Sequence, residues 1–203
     1  MCFHSKQSKA AQELINRFNA TFETKNDYSP SASINGFAFP ATPVITNASP
    51  NKIQLFNWGF LPSWTNDIAF RKNTLNAKSE TLNEKPSFKP YINNRCLIIA
   101  DGFYEWQWLD EKGKQKQKYL ITMPNYELFC FAGLWNNWLD KATGKIINTY
   151  TILTTESNEL MTEIHNSKKR MPLILTIENE NNWLTTGQFK ETNKIHLKAE
   201  KQN

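Results

Sequence analysis

The sequence predicts an α+β fold: a curved, mostly antiparallel β-sheet or barrel core flanked by short helices. Three observations carry this. Short apolar runs bounded by turn residues recur at 43–47, 52–58, 96–100, 103–108, 118–123, 127–134 and 148–154, the pattern of strands. Helical periodicity is confined to brief stretches between them, without the regular alternation of a parallel βαβ sheet. The 203 residues and 39% apolar composition suit one domain, or two small ones, with a substantial core.

The elements follow in order. SKAAQELINRFN (8–19) reads as an amphipathic helix with Ala11, Leu14, Ile15 and Phe18 on one stripe. DYSPSASINGFAFPAT (27–42) is rich in Ser, Pro and Gly and reads as a loop. After the seven strands, ESNELMTEIH (156–165) reads as a helix behind Thr155 as N-cap, its stripe formed by Leu160, Met161 and Ile164. MPLILT (171–176) reads as a further strand and IENENNWL (177–184) as a short helix. The domain is expected to span 1–184. Residues 185–203 are expected to form a basic, polar tail, with LKAEKQN (197–203) solvated and partly disordered. Repeats and low-complexity tracts are absent from the sequence.

Composition narrows the function. No apolar run approaches the ~18 residues needed to span a membrane. The opening SKQSKAAQE is polar and lacks a signal-peptide core, so a cytoplasmic location is expected, nucleoid-associated when on DNA. Three cysteines make no disulfide framework; Cys96 in RCLIIA and Cys130 in LFCFAG read as core thiols. His4, His165 and His196 do not fall at metal spacing, and no CxxC occurs, so neither metal nor cofactor is expected. A net charge of +5 and a pI near 9.0 favour a polyanionic partner. Seven tryptophans add faces on which bases can stack.

Four stretches carry candidate chemistry. The first is MCFHS. Removal of Met1, favoured by a small second residue, would leave Cys2 with an α-amine and a thiol on neighbouring carbons, a 1,2-aminothiol that captures aldehydes. The second is GFYEWQW (102–108), in which alternation puts Tyr104, Trp106 and Trp108 on one face and Phe103, Glu105 and Gln107 on the other. Glu105 either points to solvent or lines a polar pocket, where its pKa would rise toward neutrality. The third is TEIHNSKKRMPLIL (162–175). Here His165 at a helix C-terminus favours the imidazolium form, and Lys168, Lys169 and Arg170 follow as a solvated turn or a phosphate-binding rim. The fourth pairs NWGFLPSW (57–64), with Trp58 and Trp64 flanking a turn that stacks on bases or forms a core corner, with TLNAKSETL (74–82), where Asn76 offers a donor and an acceptor and Lys78 a point charge.

Together MC, WGFLPSW, NAKSET, RCLIIADGFYEW and H…RMPLIL resemble, in order, the SRAP family of abasic-site processing proteins, also named SOS-response-associated peptidases. The resemblance runs from Met1 to about Leu175. It implies a single α+β domain with a barrel-like core, a basic groove for single-stranded DNA, and Cys2 attacking the ring-opened aldehyde of an abasic site. It further implies active-site positions at Asn76, Glu105 and His165, phosphate contact at Lys78, and DNA proximity for Arg170 and the Trp58–Trp64 turn. Three departures stand out. Phe3 and His4 replace the usual Gly and Arg, so His4 would serve DNA only when protonated or as a hydrogen-bond donor. Lys78 stands where the family usually has Arg. NSKK (166–169) lengthens the turn after His165.

The expected product is a thiazolidine cross-link, with Glu105 and His165 moving protons and Asn76 orienting Cys2 or the opened sugar. Self-processing at Met1 and weak strand-cleaving lyase activity are compatible with the same site. Two other readings use the same residues: an N-terminal-nucleophile cysteine hydrolase, and a noncovalent single-strand binder in which Cys2 is incidental. The protein is expected to act as a monomer, away from membranes.

Overall fold

Uninterrupted apolar runs such as RCLIIA belong to strands covered on both faces, and here they form the wall of a closed barrel. A computed structural model describes residues 2–189 and 195–203. Its strands, numbered along the chain, are β1 (His4–Gln7), β2 (Ser31–Asn35), β3 (Ala41–Thr46), β4 (Ser49–Trp58), β5 (Asn76–Lys78), β6 (Arg95–Ala100), β7 (Gly102–Trp108), β8 (Lys116–Thr122), β9 (Phe129–Leu139), β10 (Ile146–Glu156), β11 (Arg170–Pro172), β12 (Ile174–Leu175) and β13 (Lys198–Gln202). The helices are α1 (Ala11–Phe18), α2 (Glu159–Ile164) and α3 (Ile177–Thr186), with short 3-10 turns between strands.

Two sheets result. β10, β4, β3, β6 and β9 pair in sequence, and β9 pairs back with β10, closing a five-stranded barrel whose one parallel contact is β4 with β10. β5, β11 and β12 extend it. Beside it lies an antiparallel sheet in the order β13-β8-β7-β1-β2. Alternation along β6 divides the buried residues into two clusters. Cys96, Ile98 and Ala100 join Phe103, Ile121, Ile34 and Cys2. Leu97 and Ile99 join Cys130, Ala132 and Leu134, with Leu14 of α1 and Trp183 and Leu184 of α3. The α+β, mostly antiparallel barrel architecture is as the sequence predicts.

Several boundaries differ, each for a physical reason. HSKQ has no apolar signal, yet forms β1 because it is paired on both sides. The 27–42 loop contains β2, whose SASIN sequence buries Ile34 alone. The second helix starts at Glu159, capped by Asn158 Oδ1 accepting from Met161 N–H at 2.9 Å, rather than behind Thr155, because β10 runs on to Glu156. The expected 171–176 strand is split, β11 pairing with β10 and β12 with β9. In the expected tail, β13 pairs with β8 through main-chain groups, which need no apolar side chains, and Ile195 is buried; residues 190–194 lie outside the described residues.

Barrel closure leaves no room at Gly133, opposite both Cys96 and Ile152. A Cβ there would run into the Ile98 side chain and the Thr151 carbonyl. Gly133→Ala is therefore expected to destabilise the fold by about 1–3 kcal/mol, measured as a lowered urea midpoint with an unchanged slope.

Candidate functional site

A chain terminus normally frays, but residues 2–7 are locked in place. β1 lies between β7 and β2, with His4 opposite both Tyr104 and Asn35. The Phe3 carbonyl accepts from Gly36 N–H at 2.8 Å. At the far end of β1, fully buried Asp101 gathers Lys6 Nζ at 2.5 Å, Ser8 N–H at 2.9 Å and Ser8 Oγ at 2.6 Å. Cys2 is 0% exposed in consequence.

Asn76 reaches Cys2 from the barrel. Parallel pairing sets it beside Ile152, and its Nδ2 donates to the Cys2 carbonyl at 2.8 Å. Its buried Oδ1 accepts no hydrogen bond among the described residues, so one acceptor is held beside the Cys2 backbone. Trp58 supports this strand from behind, its Nε1 donating to the Leu75 carbonyl at 2.8 Å.

Glu105 comes from β7 and is 4% exposed, so the pocket alternative holds over the solvent one. Its negative charge helps raise the Cys2 thiol pKa, second to burial, which raises it most. That thiol is therefore protonated at neutral pH. Burial pushes Glu105 itself up to about 7, leaving it half-ionised where a proton shuttle works best.

His165 closes α2, whose Met161 and Ile164 pack in the same buried cluster as Cys2. Its Nδ1 meets the Arg170 main chain, 2.7 Å from the carbonyl and 3.1 Å from the N–H. The shorter contact makes Nδ1–H the donor to the Arg170 carbonyl in the neutral ring, so Nε2 is the basic nitrogen. Burial, with Lys168 and Arg170 nearby, pushes the imidazole down to about 4. This corrects the expected imidazolium: desolvation and neighbouring cations outweigh the helix end.

The NSKK turn (166–169) seats His165. Asn166 forms two hydrogen bonds with the Trp108 main chain, donating from Nδ2 at 2.9 Å and accepting at Oδ1 at 3.1 Å. Gln107 Nε2 donates to the Glu163 carbonyl at 3.1 Å. The segment bearing His165 is thus fastened to the strand bearing Glu105. Lys169 then turns the chain back with φ 49°. Asn166 and Asp101 are site residues that the sequence reading missed; an Asn able to satisfy both groups of a strand end is visible in HNSKK only once the neighbouring strand is known.

The expected DNA contacts divide. Trp58 is 0% exposed and packs parallel to Tyr150; this corrects its assignment as a stacking platform, since neither ring face is open. Trp64 is 53% exposed, edge-on to Phe70. Lys78, Lys168 and Lys169 are exposed. Arg170 is spoken for: it forms a bidentate pair with Glu80 at 2.8 and 2.9 Å and donates to the Thr154 carbonyl at 2.7 Å. In this arrangement it ties the NAKSE segment to β10 and β11. His4 is half-buried and its pKa is lowered by burial and by Lys118, so at neutral pH it carries no charge for a phosphate. Among the described residues no cluster of three or more His, Cys, Asp or Glu suits a metal, and no helix is long and apolar enough to cross a membrane.

Comparison with known proteins supplies context. The sequence model of the family described as SOS response associated peptidase (SRAP) matches residues 1–203. The chain is 40% identical over 186 residues to abasic site processing protein YoqW of Bacillus subtilis (strain 168), covering 91% of this chain and 80% of that protein. It is 30% identical over 174 residues to abasic site processing protein HMCES of Xenopus tropicalis, covering 74% of this chain and 50% of that protein. A solved structure from Bacteroides thetaiotaomicron matches with a TM-score of 0.87 and 34% identity, covering 98% of this chain and 91% of that one.

Two outcomes follow from this geometry. Glu105 with a folded-state pKa near 7, against an ordinary 4.5, takes up a proton on folding between those values. Its contribution is fully present below pH ~4.5 and lost as pH rises through ~7, a change of about 3 kcal/mol. Glu105→Gln is expected to remove that slope in denaturant titrations across pH 4.5–7.5. Asn166→Ala is expected to speed amide hydrogen exchange at His165, Lys169 and Arg170 while leaving barrel strands protected.

Proposed function

Because the chain belongs to the SOS response associated peptidase (SRAP) family, we propose that it senses abasic sites in single-stranded DNA and caps them covalently through Cys2. The observation that carries this reading is the enclosure of Cys2 by Asn76 and Glu105, with an acceptor unpartnered among the described residues on one side and a carboxyl titrating near 7 on the other.

The chemistry starts with Met1 absent. The free α-amine of Cys2, with an intrinsic pKa of ~7.7–8.0, adds to the open aldehyde C1′ of the abasic sugar. Asn76 Oδ1 orients the amine by accepting from it. The carbinolamine loses water, with Glu105 as proton donor to the departing hydroxyl, and leaves an imine. The thiol then adds across the C=N bond: sulfur bonds to C1′, and its proton passes by way of Glu105 to nitrogen. The net change is one aldehyde and one aminothiol giving one thiazolidine and one water. His165, neutral near pH 7, exchanges a proton with the sugar oxygen as the ring opens. Because the thiol is protonated at rest, the amine attacks first and sulfur seals the product.

Burial of Cys2 supports selection for single strands. A sugar has to leave its stack to reach an enclosed residue, and a single strand costs less to rearrange than a duplex. The imine also permits slow β-elimination, so a weak lyase side reaction accompanies capture. Removal of Met1, by the chain itself or by a methionine aminopeptidase, is a precondition for either.

Incubation with a single-stranded oligonucleotide carrying one abasic site is expected to give a band that survives SDS and heat. Cys2→Ala is expected to abolish it, and Cys2→Ser to leave only an imine that borohydride traps. Intact mass spectrometry of the wild-type adduct checks the loss of Met1 and of one water; an adduct through a lysine overturns the reading.

A further inference from the structure

The motif GFYEWQW contributes Glu105 to the site above, but its other face is left unused. Cross-strand register sets Trp106 opposite Lys118 and Trp108 opposite Lys116, so these four residues share the face turned away from the barrel. Lys118 Nζ stands 4.2 Å from the centre of the Tyr104 ring and 5.8 Å from that of Trp106. Lys116 Nζ stands 5.5 Å from that of Trp108. The His4 ring meets Trp106 edge-on at 4.9 Å. His4 is in turn joined to Cys2, whose Sγ donates to the His4 carbonyl at 3.6 Å. The ladder therefore starts beside the capture site and runs away from it along β7 and β8.

Its charges are uncommitted. Lys6, Arg17, Lys52 and Arg170 each pair with a carboxylate. Lys116 and Lys118 form no ion pair among the described residues. Glu200 on the neighbouring strand β13 accepts from Tyr126, and Asp110 in the β7–β8 turn accepts from the N–H groups of Lys112, Lys114 and Gln115. A row of indoles on β7 beside a row of ammonium groups on β8, each at the strand repeat of about 6.8 Å for every second residue, matches what a single strand requires, namely rings for bases and a cation for each phosphate.

We propose that the outer face of β7–β8, formed by Trp106, Trp108, Lys116 and Lys118, is the track on which the single strand flanking the lesion lies, with the two lysines contacting two backbone phosphates. The proposal rests on the single-strand reading above and adds the path of the strand outside the pocket. It also supplies the cation that position 4 lacks, with Lys118 beside the buried, neutral His4.

The test measures binding of a fluorescent, undamaged thymidine 20-mer across a series of salt concentrations. Each phosphate contact contributes about 0.7 to the slope of log K against log salt on a single strand. The double variant Lys116→Ala/Lys118→Ala is expected to lower that slope by about 1.4, and Lys116→Arg/Lys118→Arg to retain it. In the wild-type protein, acetylation footprinting read by mass spectrometry is expected to show both lysines protected by the 20-mer. An unchanged slope with unprotected lysines overturns the track. Cross-linking to an abasic oligonucleotide, run alongside, separates the two ideas: an adduct with an unchanged slope sinks the track alone, whereas a reduced slope without an adduct sinks capture and leaves the track standing.

Discussion

An α-amine exists only at a chain end, and chain ends are the least ordered part of most domains. The whole site depends on resolving that conflict. Here β1 is inserted as an interior strand, hydrogen-bonded to β7 on one side and β2 on the other. Asp101 then anchors its far end through Lys6 and Ser8 without a charge left over, since carboxylate and ammonium neutralise each other. Asn76 completes the restraint from a second sheet by holding the Cys2 carbonyl. The proposed terminal chemistry is thereby given the positional precision of a core residue, which is what bringing amine, thiol and aldehyde together demands.

Which features the sequence displays follows from how locally each is determined. The barrel strands are legible because both faces are covered, so RCLIIA and FCFAGL are apolar throughout. Asn76, Glu105 and His165 are legible through their motifs, although alternation alone left Glu105 open between solvent and pocket. β1, β2 and β13 are not legible, because HSKQ, SASIN and KAEKQ are held by main-chain pairing with distant strands. Trp58 is misleading for the opposite reason. A Trp–Gly turn looks like a projecting wedge, but the ring turns inward against Tyr150, and Trp64 is the one left outside.

Charge is where local reading fails most. His165 looks cationic as the last residue of a helix, Arg170 looks free in a basic run, and His4 looks like a substitute for arginine. In the fold, each is governed by what packs against it. Burial and nearby cations keep both imidazoles neutral, and Glu80 claims the guanidinium. Helix-end and sequence-run arguments concern fields of a few tenths to one kcal/mol in solvent, while desolvation acts on a larger scale once the group is enclosed. Positive charge available to a polyanion is consequently displaced to exposed lysines around the pocket, and the pocket interior holds groups that exchange protons.

That separation bears on the order of events. A preformed thiolate in the pocket would attack an aldehyde first and give a hemithioacetal, which reverts readily. Burial and the Glu105 charge both favour the protonated thiol, so in the proposed capture sulfur waits until the imine has formed and a proton acceptor is at hand. In that proposed scheme the same carboxyl, titrating near 7, serves as donor when water leaves and as acceptor when the thiol adds, its charge acting on the sulfur in both steps. A fully ionised carboxylate would perform only the second, and a permanently protonated one only the first. On the proposed chemistry, the low polarity around Cys2 sets the order of the steps, and the paired strand that enforces this burial belongs to that mechanism.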